Sequence, residues 1–111
     1  MDTDAQLDAA FSALAHPARR AILARLAQGA ATVNVLAAPL DMSLPAVSKH
    51  IRVLENAGLI TRGRDAQFRP CTLKPEPLEA VANWADQYRH IWDARFDVMA
   101  GVLETMKGKP E

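Results

Sequence analysis

Apolar positions recur at helical spacing over the first half of the chain, switch once to every second residue, and then return to helical spacing to the end. Leu7, Ala10, Phe11 and Leu14 lie at i, i+3, i+4 and i+7, which predicts a first amphipathic helix of about three turns. Pro17 suits the opening turn of a second helix, Ile22, Leu23 and Leu26 supply its buried stripe, and Gly29 offers a left-handed stop. Thr32 is placed to cap a short third helix through about Ala38, which Pro39 discourages from continuing, and Pro-Leu-Asp-Met makes the turn. Ser43 caps a fourth helix with Pro45 in its first turn, running to Asn56 or Ala57 before Gly58 ends it. On that helix Val47, Ile51 and Leu54 form one apolar stripe, while Ser48, Lys49 and Arg52 fall on the opposite side.

From Leu59 the period becomes two, in "LITRGR" and "QFRPCTL", and predicts a hairpin with Asp65 and Ala66 at its tip. With those two residues as the loop, Arg64 faces Gln67 and Arg62 faces Arg69, a like-charge pair better satisfied by phosphate than by water. From Pro75 a helical pattern runs unbroken to about Met106. The fold class expected is mainly α with a small β-hairpin, in one domain of residues 1–111.

Half of the 111 residues are hydrophobic, enough for one modest core and too many for a disordered chain. No apolar run approaches the roughly 18 residues of a membrane span. The opening "MDTDAQLDAA" lacks the basic start and apolar centre of a signal peptide, and the one cysteine, Cys71, closes no internal disulfide, so a reducing cytoplasm is expected. The formal charge is zero, from 13 Lys plus Arg against 13 Asp plus Glu. Its distribution is uneven: residues 1–18 sum to −3, 19–41 to +2, 42–74 to +4 and 75–111 to −3. A local basic zone attracts a polyanion even on a neutral molecule, because salt screens charges beyond about 8 to 10 Å.

The order helix, helix, short helix, turn, longer helix, hairpin is that of a winged helix-turn-helix. The run "HPARRAILARLAQG" followed by "MSLPAVSKHIRVLENAGLITRGRDAQFRPCTL" resembles the ArsR/SmtB-like family of bacterial transcriptional repressors, over roughly residues 11 to 74. The resemblance implies a homodimer that binds inverted-repeat operator DNA, a double-stranded partner, with helix 43–57 in the major groove and wing 59–73 on the backbone or minor groove. It implies a DNA-binding core over residues 17–74. Carried onto this chain, Ser43, Ser48, Lys49 and Arg52 are the recognition-helix contacts, with His50 at the edge of the apolar stripe. Arg52 and the wing residues Arg62, Arg64, Gln67 and Arg69 look like phosphate contacts, which set register more than sequence. Leu44 stands where such proteins often carry a polar residue, and either touches a thymine methyl or packs inward. The competing reading of each cation is plain solvation, and it is the one favoured for Arg19, Arg20 and Arg25; His50 is equally a satisfied boundary histidine.

Trp84, Tyr88, Trp92 and Phe96 lie four residues apart and, with Val81, Ile91, Val98, Met99, Val102, Leu103 and Met106, spread an apolar arc of about 160° around the last helix. A small domain cannot cover so broad a stripe, and it reads as a dimer seam formed by residues 1–15 and 75–106, with Leu7, Phe11 and Leu14 alongside. Arg95 falls inside that arc, either stacked on a ring or paired across the seam, or as the receptor of an unidentified small-molecule effector. No metal and no cofactor are expected. The family's metal sites include paired cysteines in the third helix, whereas "TVNVLAAPL" has no thiolate, and Asp86, His90, Asp93 and Asp97 are a poor ligand set on a solvated face. Cys71 alone forms no dithiol switch and reads as a small buried residue. A metal- or thiol-responsive repressor of the same fold, or a winged helix that binds only protein, are the alternatives. No nucleophile with a base at motif spacing and no phosphate-cradling glycine loop argues for an enzyme.

Overall fold

Side-chain caps and prolines decide where the helices begin. The computed structural model describes residues 3–64 and 69–106, and within these the side chains of all but residues 3, 94–98 and 104–106. Helix α1 spans Thr3–Leu14, α2 Pro17–Leu26, α3 Val33–Ala37 and α4 Leu44–Asn56. The Ala18 N–H donates to His16 Nδ1 at 3.1 Å, the Val35 N–H to Thr32 Oγ1 at 3.4 Å and the Ala46 N–H to Ser43 Oγ at 3.3 Å, so each cap satisfies a donor the helix cannot. Pro17 and Pro45 occupy first turns, where no N–H is missed.

The end of α4 is equally local. Gly58 takes φ +79°, its N–H donates to the Glu55 carbonyl at 3.0 Å, and the Leu59 N–H donates to the Leu54 carbonyl at 3.0 Å. This is a Schellman stop, sealed by the apolar contact between Leu54 and Leu59, both wholly buried.

The core is built where α2, α3, α4 and the first strand meet: Ile22, Leu36, Val47, Ile51, Leu54, Leu59, Ile60 and Cys71 are all under 2 % exposed. Helix α1 joins it through Ala10 and Ala13, each 1 % exposed, while Phe11 of the expected stripe is 37 % exposed. Alanines let α1 approach closely, with Leu14 packed against the core and Phe11 turned outward.

Strand β1, Ile60–Arg62, pairs antiparallel with β2, Cys71–Leu73, in the register Ile60↔Leu73, Thr61↔Thr72 and Arg62↔Cys71. The expected pairing of Arg62 with Arg69 is therefore two residues off, and that of Arg64 with Gln67 falls outside the described residues. The Gly63 N–H still donates to the Pro70 carbonyl at 2.7 Å, but Pro70 has no N–H to return and Arg69 turns at φ +36°, so the chain leaves the ladder there. The tip expected at Asp65 and Ala66 lies outside the described residues. On its other side Cys71 exchanges two backbone hydrogen bonds with Ala31, at 3.1 and 2.8 Å, which ties the wing to the segment between α2 and α3.

The helix expected from Pro75 to Met106 is two helices, α5 Glu76–Asp86 and α6 Arg89–Met106. Instead of reaching back four residues to Trp84, the Tyr88 N–H donates to the Ala85 carbonyl at 3.0 Å, and the Gln87 side-chain amide takes the Trp84 carbonyl at 2.9 Å. A side chain thus replaces the backbone donor and the ladder stops. The chain divides into two compact units, residues 1–81 and 82–111. In the first, Leu78 of α5 packs on the core. In the second, Arg89 pairs with Asp86 and reaches Asp93 at 4.0 Å, which engages two of the four residues of the acidic face.

Candidate nucleic-acid interface

Helix α4 is held by one side and offers the other. Val47, Ile51 and Leu54 have no exposure, whereas Lys49, Arg52 and Asn56 are exposed and Ser48 is half-buried between the two faces. Burying three branched side chains at roughly 1.5 to 3 kcal/mol each fixes the rotation of the rod, so the polar face has a defined direction. Ser43 is exposed at the N-terminal tip, its oxygen engaged as the cap and its hydroxyl proton unused by that bond. Leu44 does not pack inward: it is 49 % exposed.

His50 points along the flank of α4 toward the α1–α2 junction. Its ring centroid lies 4.3 Å from that of His16, tilted by 48°, and its Nδ1 is 3.2 Å from Arg19 Nη1. Arg19 also donates through Nε to the Ala13 carbonyl at 2.6 Å and through Nη2 to the Ser12 carbonyl at 3.2 Å. One guanidinium therefore closes the C-terminal end of α1 and meets the fourth helix. Burial, then His16, then Arg19 lower the pKa of His50 from its ordinary value. Arg20 donates to the Leu14 carbonyl at 2.8 Å and Arg25 to the Gly29 carbonyl at 3.1 Å. Arg20 is exposed, and beyond the solvation expected of them each of the three arginines also satisfies a carbonyl at or just beyond a helix end. The signal available in the sequence was their position, within six residues of a helix terminus.

On the wing, Arg64 and Arg69 are exposed, and Arg69 Nε is 3.5 Å from the Gly63 carbonyl. Arg62 is half-buried opposite Cys71, with its Nε buried and without a hydrogen-bond partner among the described residues. Burial pushes the Cys71 thiol up, and the nearby Arg62 guanidinium opposes that only in part. Gln67 lies outside the described residues. Four of the nominated side chains, Lys49, Arg52, Arg64 and Arg69, are thus exposed cations in a segment of net charge +4.

Of the residues nominated for dimerisation, Leu7 and Leu14 are half-buried and Phe11 is exposed on α1. In the second unit Trp84 and Tyr88 meet edge to face at 5.4 Å and are both exposed, Trp92 is half-buried, and Met99 is 58 % exposed. The side chains of Arg95 and Phe96 lie outside the described residues. Among the described residues no helix is long and apolar enough to cross a membrane, and no three His, Cys, Asp or Glu are grouped to hold a metal ion.

This geometry has close counterparts. A family profile described as a helix-turn-helix domain matches residues 14–63. The chain is 40% identical over 88 residues to the HTH-type transcriptional regulator Rv2034 of Mycobacterium tuberculosis, an overlap of 79% of this chain and 82% of that protein. It is 34% identical over 74 residues to the transcriptional repressor SdpR of Bacillus subtilis, covering 67% of this chain and 82% of that one. Among solved structures, the crystal structure of the ArsR family transcriptional regulator RHA00566 superposes with a TM-score of 0.72 at 44% identity, over 79% of this chain and 97% of that one. The solution structure of the homodimeric winged helix-turn-helix domain Mb0332 from Mycobacterium bovis gives 0.61 at 25% identity, over 78% and 82%.

Proposed function

Because the chain belongs to the ArsR family of winged helix-turn-helix transcriptional regulators, we propose that it acts as a homodimeric repressor that binds an inverted-repeat operator. The observation that carries this reading is α4: its core stripe is wholly buried while Lys49 and Arg52 stand exposed on the far side. A rod of about 20 Å with a fixed cationic face fits a major groove about 12 Å wide. In this reading Ser43, Ser48 and Lys49 meet bases, and Arg52, Arg64 and Arg69 meet phosphates. Arg62 steadies the wing from its base, and His50 supports α4 from the flank. Gln67 keeps the role the resemblance gave it, as a wing contact, and Arg95 the seam position read from the apolar arc of the last helix. The partner's copy doubles the footprint, with half-sites about one helical turn apart. The homodimer named for Mb0332 and the repressor named for SdpR support the same reading.

Fluorescence anisotropy on duplexes selected from a random pool tests it. If a dimer neutralises about eight phosphates, log K falls against log salt with a slope near −7. Lys49→Ala with Arg52→Ala removes that binding while the circular dichroism and dimer mass stay unchanged. A flat salt dependence sinks the reading.

A solvent-open groove of about 760 Å³ between α1, the end of α4 and the start of α5, lined by Ala5, Ala9, Asn56, Ala57, Lys74 and Pro77, favours a second reading, in which a small molecule releases the repressor. Release of bound duplex by a compound, lost in Ala9→Trp, is its test.

A further inference from the structure

Leu44 is an apolar side chain at the N-terminal tip of α4, the helix assigned to DNA in the proposed function. It opens the helix between the Ser43 cap and Pro45, and it is 49 % exposed. Its neighbours Leu40 and Met42 pack against the core; Leu44 belongs neither to the core nor to that surrounding layer. Leu44, Ser48 and Arg52 are spaced by four and form one ridge along the helix. The backbone beneath Leu44 is held on both sides: the Ala46 N–H donates to Ser43 Oγ at 3.3 Å, the Val47 N–H donates to the Ser43 carbonyl at 3.0 Å, and the Pro45 ring fixes its own φ. An oily side chain is therefore presented from a rigid first turn.

The N-terminal turn of a recognition helix meets phosphates, the donors and acceptors of base edges, or the C5 methyl of thymine. Leucine has no hydrogen-bonding atom. Against phosphate, or against the edge of guanine, adenine or cytosine, it strips water from a polar group and returns nothing. Against a thymine methyl the same contact removes apolar surface from water on both sides. We propose that Leu44 reads a T·A base pair in each operator half-site through the thymine C5 methyl, a role that rests on the DNA binding proposed for α4.

Uracil tests this, because it differs from thymine only by that methyl and keeps every hydrogen-bonding group. Operators are recovered from a random duplex pool with the wild-type dimer and with Leu44→Ala, and each thymine of the recovered half-site is then replaced singly by uracil. One buried methyl corresponds to about a 4-fold loss per half-site, and roughly 15-fold when both half-sites are changed. The wild type is expected to show that loss at one thymine per half-site. Leu44→Ala is expected to bind the thymine and uracil forms alike and to select no base there. The scan on the wild type can overturn the proposal by itself even if the variant is unstable. Uracil without effect at every position, or the same uracil penalty in Leu44→Ala, overturns the proposal and leaves the DNA-binding reading standing. Recovery of no duplex by the wild type overturns both.

Discussion

At the scale of single residues, His16, Arg19 and His50 show what holds the fourth helix from outside the core. His16 Nδ1 accepts the Ala18 N–H, and His50 Nδ1 faces Arg19, which has only donors, so both bonds need a neutral ring with its proton on Nε2. Burial, His16 and Arg19 together lower the His50 pKa from 6.5. The folded chain therefore takes up fewer protons than the unfolded chain between that lowered value and 6.5. The contribution to stability is present above 6.5 and is lost as pH falls through the lowered value. The thermal midpoint is expected to drop from about pH 7 to about pH 5, and to drop less in His50→Asn, whose Oδ1 accepts without titrating. Equal drops in the two proteins would show that His50 plays no part. Neither partner of His50 is near it in the sequence, so its spacing alone left base contact and internal contact equally open.

Among the elements, those defined by short-range chemistry were legible and those defined by a competitor were not. Ser43, Pro45 and Gly58 mark both ends of α4, because a hydroxyl cap, a fixed φ and a left-handed glycine act within one turn. Gly58→Ala tests the last of these. A Cβ there would meet only Pro77 Cγ at 3.8 Å, an ordinary contact, so the cost is that of the backbone at φ +79°. A loss of about 1 to 2 kcal/mol is expected, read from the urea midpoint at unchanged slope. The break between α5 and α6 was hidden because no proline or glycine announces it; one amide, Gln87, outcompetes a backbone donor. The wing register was hidden for another reason. Alternation places residues on faces but does not distinguish two pairings that differ by two, and the Ala31 bridge to Cys71 comes from a distant segment.

For the molecule as a whole, neutrality conceals a basic middle between acidic ends, and among the described residues most of the large apolar side chains that stay exposed are on the C-terminal unit. Ile91, Met99, Val102 and Leu103 of α6 are each at least 50 % exposed. If this surface is the dimer seam, Met99→Glu with Val102→Glu sets carboxylates into an apolar contact and separates the subunits. Sedimentation velocity is expected to give a folded monomer, and operator affinity to fall roughly a hundredfold, because a single half-site no longer gains from its linked twin. A dimer of unchanged mass would move the seam elsewhere.

Amino-acid order was sufficient for the starts of α2, α3 and α4, the end of α4, its buried stripe and the row of cations opposite it, since each depends on neighbours within a turn or on a period of 3.6. Folding alone decided that His50 leans on His16 and Arg19, that Leu44 stays outside the core, and that Arg62 sits opposite Cys71. Those outcomes depend on which distant segment arrives to fill or leave a space, and periodicity carries no record of distance between segments.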